Sequence, residues 1–233
     1  MIIECFHSGS EGNLYAVSDG KTKLLLECGV QFPKIQKALK FQLSSFAACL
    51  VTHGHLDHAQ SWEKVSKYMP VYMLGETATS LGASGHKIKA FEPLKTAQIG
   101  SFDVLPVPAV HDVPCTAFYL KSTSTGETLL FVTDSAYLKY GIQYAHYAMI
   151  ECNYQQKIID ESVESGRLDT GARRRVMNTH MEFETCKNLL RNLDSDILRE
   201  IYIIHASPRH CDTAEVKESL QKEFGKPIYI AAK

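Results

Sequence analysis

Six consecutive residues, His53-Gly54-His55-Leu56-Asp57-His58, place three imidazoles and a carboxylate in one short turn. Imidazole nitrogens and carboxylate oxygens are the donors that divalent cations such as Zn²⁺ take, so the run is a concentration of metal ligands. Drawn at random from ten His and ten Asp in 233 residues, the pattern would arise in about one chain in a thousand. Alternate residues of an extended loop, His53 and His55, can face one ion while Asp57 and His58 turn toward another. Each ion takes roughly four to six ligands, so the run starts two sites and completes neither.

Three apolar segments end on donors that could complete them. Val107 to Val110 stops at His111, Leu129 to Thr133 at Asp134, and Glu200 to Ile204 at His205. A solitary His or Asp at a strand end is usually a turn or cap residue. Three of them beside a four-ligand run reverse those odds.

The elements that must position these donors follow from the pattern of the rest of the chain. Ile2 to His7, Leu14 to Ser18 and Lys23 to Glu27 read as strands, with Asp19-Gly20 as a hairpin turn. A helix is expected over Pro33 to Lys40, and a buried strand, Ala47 to Val51, delivers the chain to the histidine run. Trp62, Val65 and Tyr68 recur at helical spacing. Further strands are expected at Val71 to Leu74, Ala97 to Val107, Ala117 to Lys121, Thr128 to Val132 and Tyr147 to Glu151. From Gln155 a charged helical stretch runs to Arg175. It is followed by a helix over Phe183 to Leu193, a strand over Glu200 to Ile204, a helix over Thr213 to Phe224 and a strand over Ile228 to Ala231. No repeat and no Pro-, Gly- or Ser-rich linker divides the chain, so residues 1–233 read as one domain of packed sheets with outer helices.

Composition narrows the classes. With 45% hydrophobic and 22% charged residues the chain has material for a sizeable core and no signature of disorder. The 25 basic and 26 acidic side chains nearly cancel, so a nucleic-acid substrate would need a local basic patch. Arg173-Arg174-Arg175 is the densest one, although such a run is more often a solvated helix face. Seven cysteines without a CxxC pair suit free thiols in a reducing compartment, and no signal peptide or spanning segment is legible. The expectation is a cytoplasmic protein without membrane contact.

The ordered set HxHxDH, His, Asp, His resembles the metallo-β-lactamase fold superfamily of metallohydrolases over most of the chain. The resemblance implies an α/β four-layer αββα sandwich, with two mixed β-sheets and helices on the outer faces. It implies two divalent metal ions, Zn²⁺ first and Mn²⁺ or Fe²⁺ also fitting the donors. His53, His55 and His111 would hold the first, Asp57, His58 and His205 the second, and Asp134 would bridge them. Narrower features resemble the small bacterial YycJ-like, nuclease-like proteins: Ser8-Gly9-Ser10-Glu11-Gly12-Asn13, the pair His111-Asp112, Ile150-Glu151-Cys152-Asn153 and Asn178-Thr179-His180-Met181. The segment His205 to Arg209 is similar to the end of the tRNA 3′-processing endonucleases.

That resemblance implies a phosphodiesterase or nuclease acting on DNA, RNA or another phosphodiester. A metal-bound hydroxide would attack phosphorus, with Asp57 orienting it and His180 contacting the phosphate or protonating the leaving oxygen. Ser8, Ser10, Asn13, His180 and Arg209 are the candidate substrate contacts, and Glu151 is a candidate to orient a ligand histidine. The other reading of the same metal site is a small-molecule carbonyl hydrolase acting on a lactone, thioester or β-lactam. Glu27 stands where the superfamily usually has Asp, Ala59-Gln60 replaces an apolar-Gly pair, and Tyr154, Gln155 and Glu182 depart from the subgroup near His180.

Overall fold

The computed structural model describes residues 1–231. Thirteen strands and eight helices follow in chain order among them: β1 (Ile2–His7), β2 (Leu14–Ser18), β3 (Lys23–Leu26), α1 (Phe32–Ala38), β4 (Ala48–Leu50), α2 (Leu56–Ala59), α3 (Trp62–Val65), β5 (Val71–Leu74), α4 (Gly75–Ser80), β6 (Ile88–Phe91), β7 (Ala97–Ile99), β8 (Phe102–Ala109), β9 (Cys115–Ser122), β10 (Thr128–Val132), β11 (Tyr147–Glu151), α5 (Gln156–Glu164), α6 (Thr170–Thr179), α7 (Phe183–Arg191), β12 (Glu200–Ile204), α8 (Thr213–Phe224) and β13 (Ile228–Ile230). They build two sheets, ordered β1-β2-β3-β4-β5-β6 and β13-β12-β11-β10-β9-β8-β7. Each sheet is mixed: β1 to β3 and β7 to β10 pair antiparallel, while β3 to β6 and β10 to β13 pair parallel.

The layering follows from strand alternation. In β3, Leu24 and Leu26 face inward onto the middle core, while Leu25 joins the outer one with Cys49, Val71 and Met73 under Ile35, Leu39 and Val65. In β10, Leu129 and Phe131 face the middle core, and Leu130 and Val132 face Cys186, Leu190, Val216 and Leu220. A strand buried on both faces therefore reads as an unbroken apolar run, and the order of layers is helices, sheet, sheet, helices. The seven cysteines are all free thiols. No helix of the described residues is long and apolar enough to cross a membrane.

Differences from the sequence expectations have local causes. The strand expected over Ala97 to Val107 is two strands, because Gly100 takes a left-handed turn (φ 58°) where a Cβ would strike Thr22. The charged stretch to Arg175 is two helices, and Asp169 caps the second by accepting from Gly171 N and Ala172 N. The short α4 and the edge strand β6 carry no clear alternation and escape the periodicity argument.

One end of the sandwich is closed by a carboxylate. Asp19 Oδ2 accepts from the hydroxyls of Ser101, Ser122 and Ser124 at 2.6, 2.6 and 2.7 Å, and Oδ1 accepts from Lys21 N and Thr22 N. The β2–β3 turn of one sheet is thus tied to the β7–β8 and β9–β10 turns of the other. Partial burial opposes the charge, but the bonds from Ser101, Ser122, Thr22 and Ser124 hold the Asp19 carboxyl well below the usual carboxylate range.

Candidate metal centre

The opposite strand ends carry the chemistry. β4 runs into His53, β8 into His111, β10 into Asp134, β11 into Glu151 and β12 into His205, so residues remote in sequence meet at one pole of the sandwich. Open α/β sheets commonly place ligands at the carboxyl ends of their strands. The exit of β12 at His205 and that of β3 at Glu27 are backward turns, with φ of 50° and 63°. Such left-handed non-glycine residues are strained and persist where surrounding bonds fix them. For His205 that bond is its N–H donating to Ser8 Oγ at 2.8 Å.

Two groups of donors converge there, and a third, Asp134, Glu151, His180 and His205, overlaps the second. His53 Nε2 lies 3.1 Å from His55 Nδ1, which lies 3.2 Å from His111 Nε2. His58 Nε2 lies 3.1 Å from Asp134 Oδ1 and 3.4 Å from Asp57 Oδ2, with His205 Nε2 3.6 Å from the same Asp57 oxygen. Each group offers ligand atoms within 4.8 Å of one another. The groups are neighbours, since the rings of His53 and His58 have centroids 4.2 Å apart.

The hydrogen-bond inventory fits cations at both places. His111 Nδ1 lies 2.8 Å from Thr179 O, which can only accept, so Nδ1 carries the proton, and Nε2 of the neutral ring turns a lone pair to His55 Nδ1 and Asp112 Oδ1, each 3.2 Å away. Three nitrogens this close cannot all be satisfied by one another's protons, whereas a cation satisfies them together. His205 is held at Nδ1 by Glu151 Oε1 at 3.2 Å, and its Nε2 is buried without a partner. Asn13 Nδ2 lies 3.0 Å from His58 Nε2, but it also reaches Gly9 O and Asp57 O, the two carbonyls its two protons can serve. His58 Nδ1 is a second buried orphan, 3.6 Å from Glu27 Oε1 and beyond hydrogen-bonding range.

The electrostatics match. Burial disfavours charge on His205, yet Asp134, Asp57 and Glu151 together push it up to about 10. His58 is likewise raised against its burial by Asp134, Asp57 and Glu27. Asp134 is fully buried, but His205, His58 and His53 hold it well below the usual carboxylate range. Carboxylates that hold two imidazoles protonated supply the negative field that a cation would use in place of those protons. His53, by contrast, is lowered, by burial first and then by His58, so it stays a neutral donor.

The loop bearing the run is set by close backbone packing. Asn13 N donates to Asp57 O and Cys28 N to His58 O, at 2.8 and 2.9 Å. A Cβ on Gly29 would fall 1.7 Å from Asp57 O, so only glycine allows this approach.

A hollow of about 390 Å³ opens over the donors, lined by Ser10, His55, Asp57, His111, Asp112, Asp134, Arg175, Thr179, His180 and His205. His180 is buttressed by Glu151, whose Oε1 lies 2.6 Å from its Nδ1, while Glu151 Oε2 accepts from Ser135 N and Met181 N. Burial opposes charge on His180, and Glu151 raises it above the ordinary imidazole value.

The structure sorts the sequence candidates. His53, His55, Asp57, His58, His111, Asp134 and His205 are brought together, and Ser10 and His180 line the hollow. Ser8 and Asn13 are buried: Ser8 Oγ pairs with Tyr15 OH and receives His205 N–H, and Asn13 Oδ1 accepts from Gly9 N and Tyr15 OH. They support the pole from within and are not on its surface, because the Ser8–Asn13 turn packs under the ligand loop. Arg209 is exposed and lines none of the hollows around the donors. Arg175 does line one, and its guanidinium reaches Asp112 at 3.7 Å. Asp112 in turn lies 3.4 and 3.2 Å from His55 Nε2 and His111 Nε2. The tribasic run signals Arg175 in sequence, but only α6 decides which of its three residues faces the cleft.

Comparison with known proteins agrees with this architecture. No family model matches the chain. It is 25% identical over 218 residues to the exodeoxyribonuclease WalJ of Streptococcus pneumoniae, covering 86% of this chain and 79% of that one. The metallo-β-lactamase fold protein YhfI of Bacillus subtilis superposes with a TM-score of 0.75 at 16% identity over 98% and 95% of the two chains. A diphosphatase of the PhnP family superposes with 0.65 at 12% identity over 99% and 94%. The chain has the metallo-β-lactamase fold.

Proposed function

We propose that the chain is a hydrolase that uses two divalent cations to cut phosphodiester bonds, with nucleic acid as its substrate. The observation that carries this reading is the adjacency of two donor groups, five of whose seven members, His55, Asp57, His111, Asp134 and His205, line one hollow. His53, His55 and His111 would hold one cation, and Asp57, His58 and His205 the other, with Asp134 between them; the imidazole and carboxylate donors suit Zn²⁺ first and Mn²⁺ or Fe²⁺ also. Bound there, the cations would supply ionised water near neutral pH and positive charge against a phosphate.

The remaining work falls to the chain's own groups. Asp57 lines the hollow and orients the attacking oxygen. His180, its Nδ1 occupied by Glu151, offers Nε2 to the leaving oxygen and donates a proton there. Arg175 binds a non-bridging phosphate oxygen, leaving Asp112 as it does so. A phosphate ester is favoured over a carbon ester by this guanidinium and by the likeness to an exodeoxyribonuclease.

Elemental analysis followed by a hydrolysis panel tests the reading: labelled single- and double-stranded DNA, RNA, bis-p-nitrophenyl phosphate, a lactone and a thioester. Two equivalents of metal and cleavage of the phosphodiesters are expected. Activity confined to the carbon esters would transfer the site to small-molecule carbonyl hydrolysis.

A further inference from the structure

His180 is shared by the hollow over the donors and by a second one of about 470 Å³, lined by Tyr137, Tyr154, Met177, Asn178, Glu182 and Thr185 among others. We infer that this second hollow is a nucleobase subsite, receiving the base of the nucleotide whose phosphate lies beside Arg175 and favouring bases that carry an amino group. The inference rests on the nuclease reading and adds to it where the substrate is read.

Charge separates the two hollows. The first contains Arg175; the second contains no Lys or Arg in its lining, and apart from the shared His180 its one charged group is the Glu182 carboxylate. A second phosphate would be repelled there, whereas a neutral ring would not. Met177, Val110 and Tyr137, whose ring is about half exposed, supply apolar surface for a base to lie against, and the volume falls in the range of small-molecule sites.

The polar groups are held in place. Glu182 Oε2 accepts from Glu184 N and Thr185 N at the start of α7, at 2.5 and 3.2 Å, which fixes the carboxylate and leaves Oε1 without a hydrogen bond from the described residues. An amino group on adenine, guanine or cytosine can donate to that oxygen, as carboxylates accept from cytosine N4 elsewhere; thymine has no amino group. The Asn178 amide adds a donor and an acceptor.

Tyr137 is about half exposed, and the same segment between β10 and β11 carries two further exposed rings, Tyr140 and Tyr144, with Lys139 among them. Aromatic side chains interleaved with a cation are what a single strand stacks along.

Calorimetric binding to the metal-loaded protein tests this with three phosphomonoesters that a diesterase cannot cut: deoxyguanosine 5′-monophosphate, thymidine 5′-monophosphate and 2-deoxyribose 5-phosphate. The guanosine nucleotide should bind about tenfold or more tighter than the sugar phosphate. Tyr137→Ala should remove most of that difference without altering sugar-phosphate affinity. Glu182→Gln, which retains an oxygen for the helix cap, should narrow the preference for guanine over thymine several-fold. Arg175→Ala should weaken all three alike.

Equal affinity of the wild type for deoxyguanosine monophosphate and the sugar phosphate, or a base preference that survives Tyr137→Ala, would overturn the subsite. The same preparation is assayed on labelled single-stranded DNA. Cleavage without base preference removes the subsite alone, and base preference without cleavage removes the nuclease reading alone.

Discussion

The sandwich has a buried or half-buried carboxylate at each end, and the two are treated in opposite ways. Asp19 is surrounded by hydroxyls and backbone N–H groups, neutral donors that point at it and are satisfied by it. Asp134 is surrounded by imidazoles, with His58 Nε2 and His205 Nδ1 at 3.1 and 3.5 Å from its Oδ1, and the other nitrogen of each ring, His58 Nδ1 and His205 Nε2, is buried without a hydrogen bond. A carboxylate that completes its neighbours' bonds fastens two sheets together. One whose neighbours remain incomplete marks a place where something else is needed. Both poles link the same two sheets, so the contrast lies in the partners supplied and not in position within the fold.

The comparison breaks if the Asp134 pole proves to be mere scaffolding. Asp134→Ala should retain the fold while losing bound metal in elemental analysis, with turnover falling by roughly a thousandfold or more; full metal occupancy in the variant would contradict the assignment. His180→Ala should leave metal content intact and lower turnover about a hundredfold or more, the scale of general-acid help. Unchanged turnover would remove His180 from the reaction. Glu151→Gln, which loosens both His180 and His205, should cost about ten- to a hundredfold in metal affinity or activity, read by competition with a chelating dye.

The Asp19 pole should answer only in stability. Asp19→Ala is expected to destabilise the fold by about 2 kcal/mol, roughly 4–8 °C in melting temperature, with metal content unchanged. The pH dependence has a definite sign. Because the folded carboxyl is held below its usual value, its contribution is present above an unfolded pKa of about 4 and declines as pH falls below it. The melting-temperature gap between wild type and Asp19→Asn should therefore shrink on acidification below about pH 4. A gap that widened in acid would show that Asp19 is not the tie described.

Much of this contrast was legible in the residues. Four donors of the metal pole fall within six residues, and the other three end apolar runs, of which the one before Asp134 is buried on both faces and reads as a central strand. The turn Asp19-Gly20 was legible as a hairpin, but not as the anchor of Ser101, Ser122 and Ser124, because pairs more than eighty residues apart leave no local periodicity. The same limit misplaced Ser8 and Asn13: their residue types suit a phosphate loop, and only three-dimensional packing shows that their polar atoms face Tyr15, Gly9 and the backbone of His205. Arg209 lies four residues after the candidate ligand His205 yet lines none of the hollows around the donors, while Arg175, thirty-four residues earlier, does line one because α6 carries it to the cleft.

Gly29 holds none of the donors, yet its missing side chain sets a clearance. With Asp57 O where a methyl carbon would stand, adding that one carbon would displace a carboxylate and an imidazole in concert, since main-chain bonds from Cys28 and Asn13 lock both to the same short arc. The centre is therefore open to mechanical detuning: its bite can be changed through a residue that no inventory of coordinating atoms would include.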